Sequence, residues 1–381
     1  MKTTLRNITL SAAVAALFAH TSALPARSAE AKEVQSPIVQ IALLLDTSNS
    51  MDGLIEQAKG QLWKIVNEFI KAKQKGRTPE VQVALFEYGK SSLPAAEGYI
   101  RQVQPLTTDL DKISEELFAL NTNGGDEYCG WVIREAVARL AWSSSPDVYK
   151  ALFIAGNEPF TQGNVNYADS CKAAIARGII VNTIHCGTEA VGINTKWQDG
   201  ALLADGKYMI IDQNRAVVHF EAPQDKEIAR LGVELSKTYL AYGVNGREAQ
   251  LRQSAQDANA VAMAPAGASY NRAVAKASAN YRNDSWDLVD ASKNQDFKLA
   301  ELKAEDLPAE MQKMNEADRK AFVETKAKER ADLQARINKL NEERNKYVAE
   351  QRKNQAAANT LDSVMVSTIR EQAAKKNYRF E

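Results

Sequence analysis

Asp46, Ser48 and Ser50 stand at alternate positions in Val39-Gln-Ile-Ala-Leu-Leu-Leu-Asp-Thr-Ser-Asn-Ser. A carboxylate and two hydroxyls on one loop form a set of hard oxygen donors. Such donors suit Mg²⁺, Ca²⁺ or Mn²⁺, which prefer oxygen and keep part of their water shell. Taken without its flanks, the triplet reads as a turn residue followed by two helix caps. The flanks favour the metal-capable loop. The apolar run before Asp46 is that of a strand buried on both faces, as in a parallel sheet. After the loop, Leu54, Ile55, Ala58, Leu62, Ile65, Val66, Phe69 and Ile70 recur at 3–4 spacing and predict a helix from Gly53 to about Lys73. In open α/β sheets, ligands bind beyond the carboxyl ends of the strands.

Other chemistries find little support. The chain has no Gly-x-Ser-x-Gly elbow, phosphate-binding loop, His-Glu-x-x-His or Cys-x-x-Cys. His185 adjoins Cys186, but a strand sends neighbours to opposite faces, so the two do not form one site. Glu115-Glu116 and Glu342-Glu343 fall on predicted helices and read as solvated faces.

The elements that must position the loop alternate regularly. Strands are expected at about 38–45, over Val81–Tyr88, as a short piece from Tyr99 to Val103, from Lys150 to Gly156, and from Ile179 to Cys186. Two further strand pieces are expected at Tyr208–Ile211 and Val217–Phe220. Between them lie predicted helices from Thr107 to about Leu120, about Glu127 to Trp142, Ala168 to Ala176, Thr195 to Leu203, and Pro223 to about Tyr239. This alternation over about 200 residues predicts an α/β fold with a doubly wound, mostly parallel sheet, Rossmann-like in plan. Of the three cysteines, Cys171 at a helix start and Cys186 at a strand end share an edge of that layout. They are the pair it favours for a disulfide, with no pair at all as the alternative.

The stretch 37–245 resembles the von Willebrand factor type A (VWA) domain, in strand order, helix placement and the Asp-x-Ser-x-Ser loop at Asp46. The resemblance implies a metal-ion-dependent adhesion site. Its second element is a Thr, or an Asp in a Gly-Gly-Asp variant, on the loop before the third helix. In Asn121-Thr-Asn-Gly-Gly-Asp-Glu, Asp126 fits the variant and Thr122 is the other choice. The third element is an Asp at the end of the fourth strand, where Phe153-Ile-Ala-Gly-Asn-Glu places Gly156. By resemblance, a cation held by Asp46, Ser48, Ser50 and Asp126 or Thr122 completes its shell with a carboxylate from a protein partner.

Beyond Gly246 the composition changes. Residues 246–307 read as an Ala-rich linker with a packed helical segment around Ser285-Trp-Asp-Leu-Val-Asp-Ala. Residues 308–358 read as one long helix. Val323, Leu333, Ile337, Leu340 and Tyr347 form a seam that Lys326, Arg330 and Arg344 interrupt, a short coiled coil at most. Residues 359–381 read as a polar tail.

Composition bounds the function. The chain has 381 residues, 45% hydrophobic and 25% charged, enough for a substantial core in more than one unit. Its 48 basic residues balance 48 acidic ones, without the basic excess of a nucleic-acid binder. Lys2 and Arg6 precede an apolar segment from Ile8 to Ala19, and small residues follow, the pattern of a signal peptide within residues 1–29. No later stretch approaches a membrane span. The expectation is a periplasmic or secreted, non-catalytic binding module that engages a protein partner through its metal loop. The alternatives are a metal-assisted hydrolase using Asp46 and Asp126, and an assembly protein that associates through its C-terminal helix.

Overall fold

A computed structural model describes residues 37–214, 219–351 and 361–380. In chain order the strands are β1 (Ile38–Asp46), β2 (Ala72–Lys73), β3 (Glu80–Tyr88), β4 (Ile100–Thr107), β5 (Tyr149–Gly156), β6 (Ile180–Cys186), β7 (Tyr208–Ile211) and β8 (Arg379–Phe380). The helices are α1 (Asp52–Asn67), α2 (Leu110–Ala119), α3 (Cys129–Arg139), α4 (Tyr167–Ala176), α5 (Glu189–Asn194), α6 (Trp197–Leu202), α7 (Asp225–Ser236), α8 (Gly246–Ala262), α9 (Ala268–Lys276), α10 (Leu288–Ala291), α11 (Glu316–Gln351) and α12 (Leu361–Ala374).

Six strands form one sheet in the order β4-β3-β1-β5-β6-β7, all parallel except β4. The third strand is longer than its Tyr99–Val103 forecast and runs antiparallel at the edge. Alternation along β1 explains its unbroken apolar run. Val39, Ile41, Leu43 and Leu45 join one buried cluster with α1, α2 and α12, while Ala42 and Leu44 join another with α3, α4 and Trp197. A strand covered on both sides must be apolar at every position. The strand piece forecast at Val217–Phe220 falls partly outside the described residues, and His219 and Phe220 lie in no strand. The segment forecast as a signal peptide also lies outside them. No helix among the described residues is long and apolar enough to cross a membrane.

Three expectations are corrected. Cys171 and Cys186 do not pair, and all three cysteines are buried free thiols. The two lie on opposite faces of the sheet. Cys171 packs with Leu152 and Ile154, whereas Cys186 packs with Leu45 and Ile184 on the opposite face.

The forecast linker contains the packed helices α8 and α9. Buried Arg272 of α9 joins them to the sheet layer at 2.6 Å from Asp111 of α2, and to each other at 2.5 Å from Asp257 of α8.

The forecast tail is no tail. Leu361, Met365, Ile369 and Ala373 recur at every fourth position, so one stripe of α12 is apolar and covers the sheet beside α1. Gln372 fixes its register. Its amide exchanges hydrogen bonds with Asn182 of β6, at 2.6 and 3.1 Å, and its oxygen accepts from the Tyr149 hydroxyl at 2.9 Å. Beyond α12, the Tyr378 hydroxyl donates to the Ile38 carbonyl at 2.8 Å, and β8 pairs with β2.

The long helix α11 has a buried face at Val323, Arg330, Ile337, Arg344 and Val348. The first four are seven residues apart, so a heptad seam exists, but it packs within the chain. Arg330 clamps Asp287 through both terminal nitrogens, at 2.6 and 3.0 Å, and lies 4.0 Å over the Tyr239 ring. Arg344 binds Asp225 at 2.5 Å and lies 3.8 Å over Tyr270. The two arginines that break the apolar seam in sequence are the residues that dock the helix.

Candidate functional site

β1 runs between β3 and β5, so connections leave it toward both halves of the sheet, and a crevice opens beyond its carboxyl end. Asp46 ends β1 at that crevice and is fully buried. Its Oδ1 accepts from the Ser48 amide at 2.8 Å, which turns the chain back on itself. Its Oδ2 is buried with no hydrogen-bond partner. The Ser48 and Ser50 hydroxyls are 3.2 Å apart, and the Ser50 hydroxyl donates to Asn157 Oδ1 at 3.4 Å. The three residues read from the sequence as one donor set are thus brought together.

The other two candidates are placed differently. Asp126 is exposed, and its Oδ2 accepts from the Tyr128 hydroxyl at 3.1 Å. The Thr122 hydroxyl donates to Asp52 Oδ1. The loop that carries them is nevertheless drawn to the site, since the Asn123 amide donates to the Thr47 carbonyl at 3.0 Å. The carboxylate this loop buries is Glu127, 6% exposed. The Glu127 amide donates to Gln162 Oε1 at 2.7 Å. Residue-by-residue matching to a motif points to Asp126, whereas the chain turns the following residue inward.

Gly89, at φ +82°, lets Asp46 and Glu127 approach one another. A Cβ there would lie 2.8 Å from both Asp46 Oδ1 and Glu127 Cγ. Gly156 stands across β1 from Tyr88. A Cβ there would lie 3.0 Å from Asp46 Oδ2 and 2.6 Å from the Tyr88 hydroxyl, which donates to the Ala155 carbonyl at 3.0 Å. The tyrosine fills the space a longer residue at 156 would need.

Burial pushes the Asp46 carboxyl up to about 8, and the charges of Glu127 and Glu158 add to the rise. Glu127 is pushed up to about 7 by burial and then by Glu158. Two carboxyl groups held from water without a countercharge are costly. Among the described residues no group of three His, Cys, Asp or Glu is gathered as a ligand set. The donors here are instead two carboxylates and two hydroxyls. All are hard oxygens, one is an orphaned buried carboxylate atom, and the set fits Mg²⁺, Ca²⁺ or Mn²⁺. His185 is buried with neither ring nitrogen hydrogen-bonded, and burial lowers its pKa. It packs beside Trp197, with ring centroids 5.7 Å apart.

The sheet order, the helices on both faces and the Asp-x-Ser-x-Ser loop at the crevice make this a VWA-like fold. No protein-family model and no curated protein matches the chain. Among solved structures it is similar to the conserved hypothetical protein BatB from Bacteroides thetaiotaomicron, at 18% identity and a TM-score of 0.35, over 46% of this chain and 90% of that one. It is similar to the SpRpn10 VWA domain at 16% identity and a TM-score of 0.35, over 46% and 88% of the two chains. A third is the vWF domain of a type V pili tip protein from Porphyromonas gingivalis, at 12% identity and a TM-score of 0.33, over 46% and 90%.

Proposed function

We propose that the protein is an exported, non-catalytic binding module whose Asp46 loop engages a protein partner through a divalent cation. The observation that carries this reading is the buried Asp46 Oδ2 without a partner, next to the Ser48 and Ser50 hydroxyls. A buried oxygen of this kind is costly unless something meets it, and a hard cation would. Asp46 would bind the cation directly, and Ser48 and Ser50 would supply neutral oxygens. The cation, Mg²⁺ or else Ca²⁺ or Mn²⁺, would offer an open position to an oxygen ligand of the partner. Export is supported by Lys2, Arg6 and the apolar segment that follows them.

The test is isothermal titration of the full chain with each of the three cations, beside Asp46→Asn. The reading expects saturable 1:1 heat from wild type and none from the variant. Absence of heat with all three cations, or equal heat from both proteins, overturns it. A pull-down from exported material, with and without chelator, then tests for a cation-dependent partner.

A further inference from the structure

We propose that the groove between α7, α8 and α9 binds a small amphipathic carboxylate, with its apolar body between the helices and its charge at the lip. The groove has a volume of about 340 Å³, within the roughly 300–1,000 Å³ of small-molecule sites. Its floor is polar and fixed. Lys276 and Arg272 of α9 are 1% and 2% exposed there, and Lys276 donates to both Asp257 oxygens at 3.0 Å. The Ser236 hydroxyl of α7 donates to Asp257 Oδ2 at 2.8 Å, so one network ties the three helices together. Its lips are apolar. Val233 of α7 and Val261 of α8 line it and are 58% and 63% exposed, large apolar side chains left open to water.

The charge of the groove is one-sided. Lys226, Arg230, Arg272 and Lys276 line it against a single acid, Asp257. From outside the lining, Asp111 balances Arg272 at 2.6 Å and Glu227 balances Arg230 at 2.8 Å. Lys226 is exposed and has no ion-pair partner among the described residues, so one positive charge is left over. Burial pushes the Lys276 ammonium down to about 8 although Asp257 pulls it up, which marks a floor short of negative charge. An anion is therefore favoured over a cation or a neutral molecule. The three N–H bonds of Lys276 are taken by Asp257 and Ser236, so the ligand's charge belongs beside Lys226 and its chain runs inward. Ala229, Ala260 and the two valines give that chain apolar walls, which a bare hydrated anion would not use.

The experiment is isothermal titration of the full chain with octanoate, octanol and octylamine, in chelator so that the Asp46 loop plays no part. Wild type should give saturable 1:1 heat with octanoate and bind the other two at least about fivefold more weakly. Lys226→Glu should weaken octanoate by about fivefold, the upper range for one exposed ion pair. Val261→Trp should fill the groove and remove the heat. Both positions are exposed, so the variants should melt with wild type. No heat from octanoate overturns the proposal, and so does octanol or octylamine binding as tightly. Octanoate binding that survives Val261→Trp overturns it too, because the ligand then sits elsewhere. Sedimentation with phosphatidylglycerol vesicles separates a free carboxylate from a lipid surface. Retention on vesicles that Val261→Trp abolishes, without heat from free octanoate, would assign the groove to a membrane and overturn the proposal.

Discussion

The Tyr88 hydroxyl stands 2.6 Å from the point at which a side chain on Gly156 would begin. These residues lie on β3 and β5 with β1 between them, so the tyrosine reaches across a strand to fill the glycine's space. Introducing the aspartate that the VWA resemblance expects should fail on its own. Gly156→Asp is predicted to cost about 1–3 kcal/mol by overpacking, with further loss from crowding Asp46. Tyr88→Phe in the same chain should recover part of it. Urea unfolding of the two variants checks this, and a Gly156→Asp protein as stable as wild type would show that the space is free.

The Arg330–Asp287 clamp makes a second prediction. Asp287 is fully buried and also caps α10, so Arg330→Ala would leave its charge unpaired. The expected loss is about 3–5 kcal/mol. Pairing Arg330→Met with Asp287→Asn keeps the capping acceptor and removes both charges, and should recover most of the loss. Denaturant melts of the three proteins decide it, and additive losses would show that the pair is not coupled.

Metal-free stability should depend on pH in an unusual direction. Asp46 and Glu127 have ordinary values of 3.8 and 4.5, raised on folding to about 8 and about 7. The folded chain therefore holds protons that the unfolded chain has released. That contribution is fully present below about pH 4 and is lost as the pH rises toward 8. Other groups add their own slopes, so the expected signature is a difference. Asp46→Asn should gain stability relative to wild type between pH 5 and pH 8 in chelator, by at most about 1.4 kcal/mol for each pH step of one. Saturating Mg²⁺ should shrink the gap. A difference that stays constant with pH would refute a carboxyl that stays protonated in the folded chain.

Removing residues 361–381 should abolish cooperative folding. Leu361, Met365, Ile369 and Tyr378 are buried against the sheet cluster. At about 1.5–3 kcal/mol each, they are worth as much as a typical domain's whole stability of about 5–15 kcal/mol. Limited proteolysis and dye binding to exposed apolar surface would report the loss. A truncated chain with a sharp unfolding transition would show α12 to be dispensable.

Local chemistry makes the α/β half legible in the sequence. The double burial of β1 leaves an unbroken apolar run, and the Asp46 loop sits where that run stops. What escapes depends on long-range contact. The stripe Leu361, Met365, Ile369 and Ala373 is visible in the sequence, but it is a single face on a short polar segment far along the chain. Arg330 and Arg344 look like faults in a seam because a buried arginine makes sense only once Asp287, Asp225, Tyr239 and Tyr270 surround it. At the site, Asp126 and Glu127 are adjacent acids, and no spacing rule says which one turns inward. The Gln162 acceptor and the Gly89 gap decide that, and both come from distant segments. Likewise, the layout that suggests a Cys171–Cys186 pair cannot show their faces, which are fixed by the packing of α4 and the parity of β6.

The hydrogen bond from Tyr378 to the Ile38 carbonyl brings the start of the first strand and the segment after α12 together at the amino end of β1. Asp46 lies at the opposite end of the nine-residue β1, about 26 Å away at roughly 3.3 Å per residue. The closing strand pair and the metal-capable loop therefore occupy opposite ends of β1, so changes at Tyr378 act on the fold without touching the Asp46 loop.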